Sequence, residues 1–341
     1  LEWGIANLHQ INQKNIISFA SESIPILAIL RKNLLNNKHT RIVYSEELPR
    51  FFDAEVLKSV YGYNFDLEIV ESLSELSEFD GSTSFISHQD EISTIDLIPN
   101  VDFFVTIYSP LGSILLVNGE KNKSYISDIQ HVRRRETIAM TPINSLVALT
   151  SLTEKSPLHI EKSTIEKNKG LVLDSIATIT GTTTPALVAS SGLSMQYAIM
   201  MGLIHDAIEQ HPGKAIKFIV PTNCYGGTND QARRVAACLD TVEIVDLAVD
   251  GDSDMVQSID TVLAKIAMED AIPYIIAEIP TNPRVEVPNL AQLKAVLSVE
   301  RKTATGKVAI DPVFILDQTF CPNVLFLGEG EILSTVRAIS Y

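Results

Sequence analysis

The feature that most limits the fold is a regular alternation, from about Thr178 onward, of short unbroken apolar runs with longer helix-patterned stretches. Runs at 186–190, 215–220, 242–249, 274–279, 313–316 and 336–340 read as strands covered on both faces, because they are continuously apolar rather than alternating. Helical patterns at 193–210, 229–239, 254–268 and 290–303 separate them, and Pro212-Gly213 stops the first. Strands parted by helices imply an α/β fold with a mainly parallel sheet.

Residues 1–150 are less orderly. Arg41-Ile-Val-Tyr44, Asp66-Leu-Glu-Ile-Val70 and 101–107 read as strands, with helical patterns around 20–35 and 53–60. An additional N-terminal α/β domain, of unknown role, is expected there. The polar, lysine-rich stretch 155–170 makes a join, so the domains are drawn as 1–150 and 151–341; 341 residues suit two domains. Ser18-Phe-Ala-Ser-Glu-Ser23 echoes Ala189-Ser-Ser-Gly192, each ahead of an apolar helix, and Tyr44 loosely parallels Tyr225. A decayed internal copy is one explanation of so short a match.

With 42 acidic against 27 basic residues, the net charge of −15 argues against nucleic acid or an anionic membrane as partner. Arg133-Arg134-Arg135 is the one compact basic run and reads as a solvated or interface face. Cys224, Cys238 and Cys321 lack metal-ligand spacing and suggest a reducing compartment. The longest apolar stretch, 103–117, is split by Pro110 and Gly112 into two strand-sized pieces, too short to span a bilayer. A cytoplasmic protein is the expectation.

In open parallel sheets ligands bind outside the carboxyl ends of the strands. Four loops fall at that edge. Ser190, Ser191 and Gly192 stand where a strand is expected to turn into a helix, and the first N–H groups of a helix attract anions. Tyr225-Gly226-Gly227 reads as a flexible loop carrying a flat aromatic surface. Pro280 and Pro283 aim Glu278, read as an orienting or capping group, and Asn282, a donor to a ring oxygen. Asp317 ends the apolar run Val313-Phe-Ile-Leu316, close to the core, and a carboxylate there needs a cationic or hydrogen-bonding partner. A protonated pyridine nitrogen meets that need.

In this order the loops Ala189-Ser-Ser-Gly-Leu-Ser-Met195, Tyr225-Gly-Gly-Thr228, Glu278-Ile-Pro-Thr-Asn-Pro283 and Leu316-Asp-Gln-Thr-Phe320 resemble a group of pyridoxal-phosphate enzymes. The group is that of cystathionine γ-synthase and methionine γ-lyase, and the resemblance covers about residues 165–341. It implies the large domain of the aspartate aminotransferase-like fold, with pyridoxal phosphate as cofactor. By the same resemblance Ser191, Gly192, Leu193 and Ser340 contact the cofactor phosphate, and Tyr225 stacks on the ring. Asn282 meets the ring hydroxyl, Asp317 the pyridine nitrogen, and Thr319 lies nearby. Asp317 and Tyr225 are the residues given catalytic roles. An amino-acid substrate and a homo-oligomer are implied as well.

The departures from the family are also specific. Its Schiff-base lysine is expected just after Ser340, past Tyr341, and its C-terminal small domain, with the arginine that holds the substrate carboxylate, has no counterpart. The usual Tyr-x-Arg-x-x-Asn-Pro-Thr segment is replaced by 160–170. The chain thus reads as the first part of a longer polypeptide, inactive alone. For the whole protein, γ-replacement on an activated homoserine to give cystathionine is the expected reaction. Carbon–sulfur lyase chemistry by γ- or β-elimination is the alternative within the family. A lysine-free scaffold or binding subunit is the alternative outside enzymes. A nucleotide-binding Rossmann protein is disfavoured, since no Gly-x-Gly-x-x-Gly follows any strand.

Overall fold

The computed structural model describes residues 1–158, 162–249, 254–281, 284–324, 326 and 335–338. The chain divides into two compact units, Leu1–Glu161 and Lys162–Tyr341.

The first unit runs α1 (Glu2–Leu8), β1 (Ile16–Phe19), α2 (Ile24–Leu35), β2 (Thr40–Tyr44), α3 (Ala54–Ser59), β3 (Phe65–Ile69), β4 (Ser82–His88), β5 (Phe103–Tyr108), β6 (Gly112–Val117), α4 (Tyr125–Glu136) and α5 (Pro142–Glu154). Its strands lie in the order β1-β6-β5-β4-β2-β3. Strands β3, β2, β4 and β5 are parallel, and β6 is antiparallel to both neighbours. The unit extends past the expected boundary at 150 because α5 runs to Glu154 and Leu152 and Leu158 pack against its core. Stretch 103–117 folds as the β5–β6 hairpin. Gly112, at φ +126°, is required there, since a Cβ would stand 2.1 Å from the Phe19 carbonyl oxygen.

Both faces of this sheet are covered. Ile42, Ile86, Phe103 and Val105 pack under α2 and α4, while Val43, Phe85 and Phe104 pack with residues of α1 and α5. A buried ion pair fastens α2 to α4: Arg31 and Glu136, 5% and 4% exposed, meet in bidentate fashion, with Nη2 2.9 Å from Oε2. The basic run sits in the last turn of α4, where positive charge complements the helix dipole. Its Arg133 donates to Glu2 of α1 at 2.6 Å.

The second unit runs α6 (Lys162–Thr180), α7 (Gly192–Gln210), β7 (Ile216–Pro221), α8 (Gly226–Ala236), β8 (Val242–Leu247), α9 (Met255–Met268), β9 (Ile272–Glu278), α10 (Leu290–Leu297), β10 (Val313–Asp317) and β11 (Thr335–Ala338). The sheet order is β11-β10-β9-β7-β8, and each pairing is parallel. Four expectations are corrected. No strand forms at 186–190: Pro185 cannot donate to a ladder, and Leu187 is 85% exposed. Much of the expected join at 155–170 belongs to α6. Helix α10 ends at Leu297 rather than 303, because the Arg301 guanidinium donates to the Val296 and Val299 carbonyls and caps it. Helix α8 begins at Gly226, so Tyr225-Gly226-Gly227 is a helix start and not a flexible loop. No helix among the described residues is long and apolar enough to cross a membrane.

The blocks β3-β2-β4-β5 and β8-β7-β9-β10 share order, direction and register. Thr40 pairs with Phe65 and Ser82 as Ile216 pairs with Val242 and Ile272; Ser84 faces Phe103 as Tyr274 faces Val313. Segments 18–23 and 189–192 lead into the helices ahead of β2 and β7, which are equivalent places. The Tyr44–Tyr225 parallel does not hold, since register sets Tyr44 level with Val220. It also sets His88 level with Glu278 and Ile107 level with Asp317.

Removing Glu136 takes the bidentate partner from the buried Arg31 charge. Glu136→Ala is expected to cost about 3–5 kcal/mol in the unfolding of that unit, measured by urea denaturation.

Candidate functional site

The chain leaves β7 for β8 on one side and leaves β9 for β10 on the other. A reversal of this kind opens a crevice between the carboxyl ends of the two strands, here β7 and β9. The Tyr225 N–H reaches across it and donates to Glu278 Oε1 at 2.7 Å. Glu278 is the last residue of β9 and is buried. Tyr225 is the N-cap of α8 and is 49% exposed, and a Cβ at the following Gly226 would meet open space.

Strand alternation sorts the side chains by face. Ile275, Ala277, Phe314 and Leu316 point into the core shared with α9 and α10. Tyr274, Glu278 and Asp317 therefore point to the opposite face. That face carries α7, because the Tyr274 hydroxyl donates to the Leu203 carbonyl at 3.1 Å. Helix α7 runs against the strands, its last turn followed by a short connection into the start of β7. From Leu203 back to Leu193 is about 15 Å of helix, and from Tyr274 to Glu278 about 13 Å of strand. The start of α7 is thus level with the ends of β9 and β10, on the same face.

Ser191 caps α7 through a reciprocal pair: its Oγ accepts from the Ser194 N–H at 3.1 Å, and Ser194 Oγ accepts from the Ser191 N–H at 2.8 Å. The next two N–H groups, of Gly192 and Leu193, have no acceptor within the helix. Gln231 of α8, 1% exposed, donates to the Leu193 carbonyl at 2.9 Å and ties the two helices together at this turn.

Asp317 ends β10 directly beside Glu278. It is half-buried, not sunk in the core, and its Oδ1 accepts from the Thr319 N–H at 2.9 Å and the Thr319 hydroxyl at 2.7 Å. Two donors on one oxygen fix the carboxylate, and Oδ2 has no hydrogen bond among the described residues. Expected residues Tyr225, Asp317 and Thr319 thus share one edge, with Ser191, Gly192 and Leu193 at the helix start on the same face. Asn282 and Ser340 lie outside the described residues. Gln231 and Cys224 were not anticipated, and neither carries a local sequence signal. The Cys224 thiol is pushed up to about 11, first by burial and then by the Glu278 charge.

No family model and no curated protein sequence matches the chain. Among solved structures it is similar to a serine palmitoyltransferase from S. paucimobilis with a bound PLP–myriocin aldimine, at 17% identity and TM-score 0.30, over 44% of this chain and 32% of that one. A sphingosine-1-phosphate lyase from Burkholderia pseudomallei is similar at 10% identity and TM-score 0.35, over 47% and 35%. An Escherichia coli protein with a methionine aminotransferase function is similar at 14% identity and TM-score 0.35, over 50% and 42%. The chain spans well under half the length of each of these structures.

Because the Glu278 charge opposes the thiolate, Glu278→Gln is expected to lower the Cys224 pKa and speed its alkylation at pH 9. Iodoacetamide kinetics with Cys238 and Cys321 replaced by serine measure this; an unchanged rate against pH would show that burial alone sets the thiol.

Proposed function

We propose that the second unit is the cofactor-binding part of a pyridoxal-phosphate-dependent enzyme acting on amino acids. The observation that carries the reading is the arrangement across the switch crevice. The Tyr225–Glu278 bond spans it, Asp317 stands beside Glu278 with one carboxylate oxygen uncommitted among the described residues, and the anion-attracting start of α7 lies on the same face. The donor set fits the group. Gly192 and Leu193 N–H groups suit a phosphate, Asp317 Oδ2 suits a protonated ring nitrogen, and the exposed Tyr225 ring suits a flat heterocycle.

In this reading Ser191, Gly192 and Leu193 anchor the phosphate and Tyr225 covers one ring face. Thr319 orients Asp317, and Asp317 keeps the proton on the ring nitrogen. Asn282 and Ser340 remain the assigned partners of the ring hydroxyl and the phosphate. When bound, the cofactor supplies an electron sink for negative charge developing on the substrate. Glu278 holds the Tyr225 backbone so that the ring stays in place. For the whole protein we assign γ-replacement on an activated homoserine, giving cystathionine, on the strength of the four motif loops.

The first unit has Ile107 where the second has Asp317, so one cofactor per chain is expected. Equilibrium titration with pyridoxal phosphate reads the stoichiometry, and two equivalents at similar affinity would sink the assignment. Asp317→Asn in the whole protein is expected to preserve folding and cofactor binding while lowering turnover roughly a thousandfold. The neutral amide no longer stabilises the ring proton, and several kcal/mol of charge stabilisation are lost. Near-normal turnover of a cofactor-loaded Asp317→Asn protein would reduce Asp317 to a turn residue.

A further inference from the structure

Gln196 lies one helical turn below the start of α7. It is 5% exposed, and its Nε2 is buried with no hydrogen-bond acceptor among the described residues. An amide sealed from water without an acceptor is destabilising, and native interiors hold few of them. The rest of this buried face is filled by Tyr197, Met200, Met201 and Ile204, so packing gives no reason for an amide.

Helix geometry says where the amide is directed. At about 100° per residue, Gln196 falls between Gly192 and Leu193 around the axis. Side chains on a helix lean back toward its N-terminus, so Gln196 covers the first turn and not its own. That is the turn whose Gly192 and Leu193 N–H groups lack intrahelical acceptors. The nearby protein groups are already engaged: Ser191 and Ser194 satisfy each other, and the Leu193 carbonyl accepts from Gln231.

We infer that Gln196 is a third donor to an anion held at the start of α7, adding a neutral side-chain N–H to the backbone N–H groups of Gly192 and Leu193. The inference rests on the reading above, in which that anion is the phosphate of pyridoxal phosphate. Its role is positioning: an amide contributes a directed hydrogen bond and no charge. Gln196 Nε2 is thereby satisfied by the ligand, which accounts for its lack of an acceptor among the described residues.

The test is calorimetric binding of pyridoxal phosphate, pyridoxal and inorganic phosphate to the full chain, for wild type, Gln196→Met and Gln196→Glu. Methionine keeps the length and flexibility of the side chain without the donor. Glutamate keeps the shape and turns the donor into an acceptor. Pyridoxal phosphate and inorganic phosphate are expected to bind Gln196→Met about tenfold or more weakly, because a hydrogen bond to a charged group is lost. Gln196→Glu loses more, and pyridoxal binding stays unchanged in both. Wild type that binds inorganic phosphate in a Gln196-dependent way but not pyridoxal phosphate leaves this inference standing and removes the cofactor reading. Unchanged phosphate affinity in both variants, or in whichever one folds, overturns the inference while leaving the cofactor reading intact. Wild type that binds neither compound overturns both.

Discussion

A buried carboxylate and the start of a helix each have an electrostatic need, and in the second unit one hydrogen bond serves both, through one oxygen of the carboxylate. Glu278 ends β9 under cover, where an unpaired carboxylate would be costly. Tyr225 begins α8 with an N–H that the helix ladder cannot use, at the end carrying partial positive charge. Their 2.7 Å contact joins the loop after β7 to the end of β9. It fixes the position of the Tyr225 backbone, and it holds a negative charge close enough to Cys224 to discourage its ionisation.

The two units show how little of this the strand order dictates. Four strands of each share order, direction and register, yet the level occupied by Glu278 and Asp317 in one is occupied by His88 and Ile107 in the other. A doubly wound arrangement supplies a crevice wherever the connections reverse, and side chains at the strand ends determine what it can hold. An isoleucine beside a histidine offers no carboxylate to a cationic ring. The same frame therefore carries different chemistry in its two occurrences.

The central strands of the second unit were legible because their residues are buried on both faces; Ile216–Pro221 and Ile272–Glu278 are buried along their whole length, while the edge strand β8 carries the exposed Glu243 and Asp246. Helix α9 was legible from Asp254, whose side chain accepts from the Val256 and Gln257 N–H groups as a capping aspartate should. Strand β4 was not, because Ser82 and Ser84 are fully buried on it and its text reads as polar. The run 186–190 misled in the opposite way, its apolar residues standing in solvent where no sheet edge receives them. In the site, Asp317 and Tyr225 were readable from their places after apolar runs. The contact of Gln231 was not, since it depends on α8 meeting α7, 38 residues earlier in sequence.

The charge layout restricts what can occupy the crevice. The chain carries −15 overall, but at physiological ionic strength charges more than about 8 Å apart across solvent are largely screened, so local groups decide. On the α7 face, Glu278 and Asp317 stand side by side at the strand ends, and they repel any anion brought against them. The start of α7 offers donors and partial positive charge, and it repels a cation. A small inorganic anion is served by the helix start alone and leaves Asp317 Oδ2 unmet. A simple cation is served by the carboxylates alone and leaves the helix start unmet. A ligand that satisfies both needs an anionic group at one end and a protonated, hydrogen-bond-donating group at the other. A flat spacer between them suits the Tyr225 ring, and a phosphorylated pyridine has this polarity.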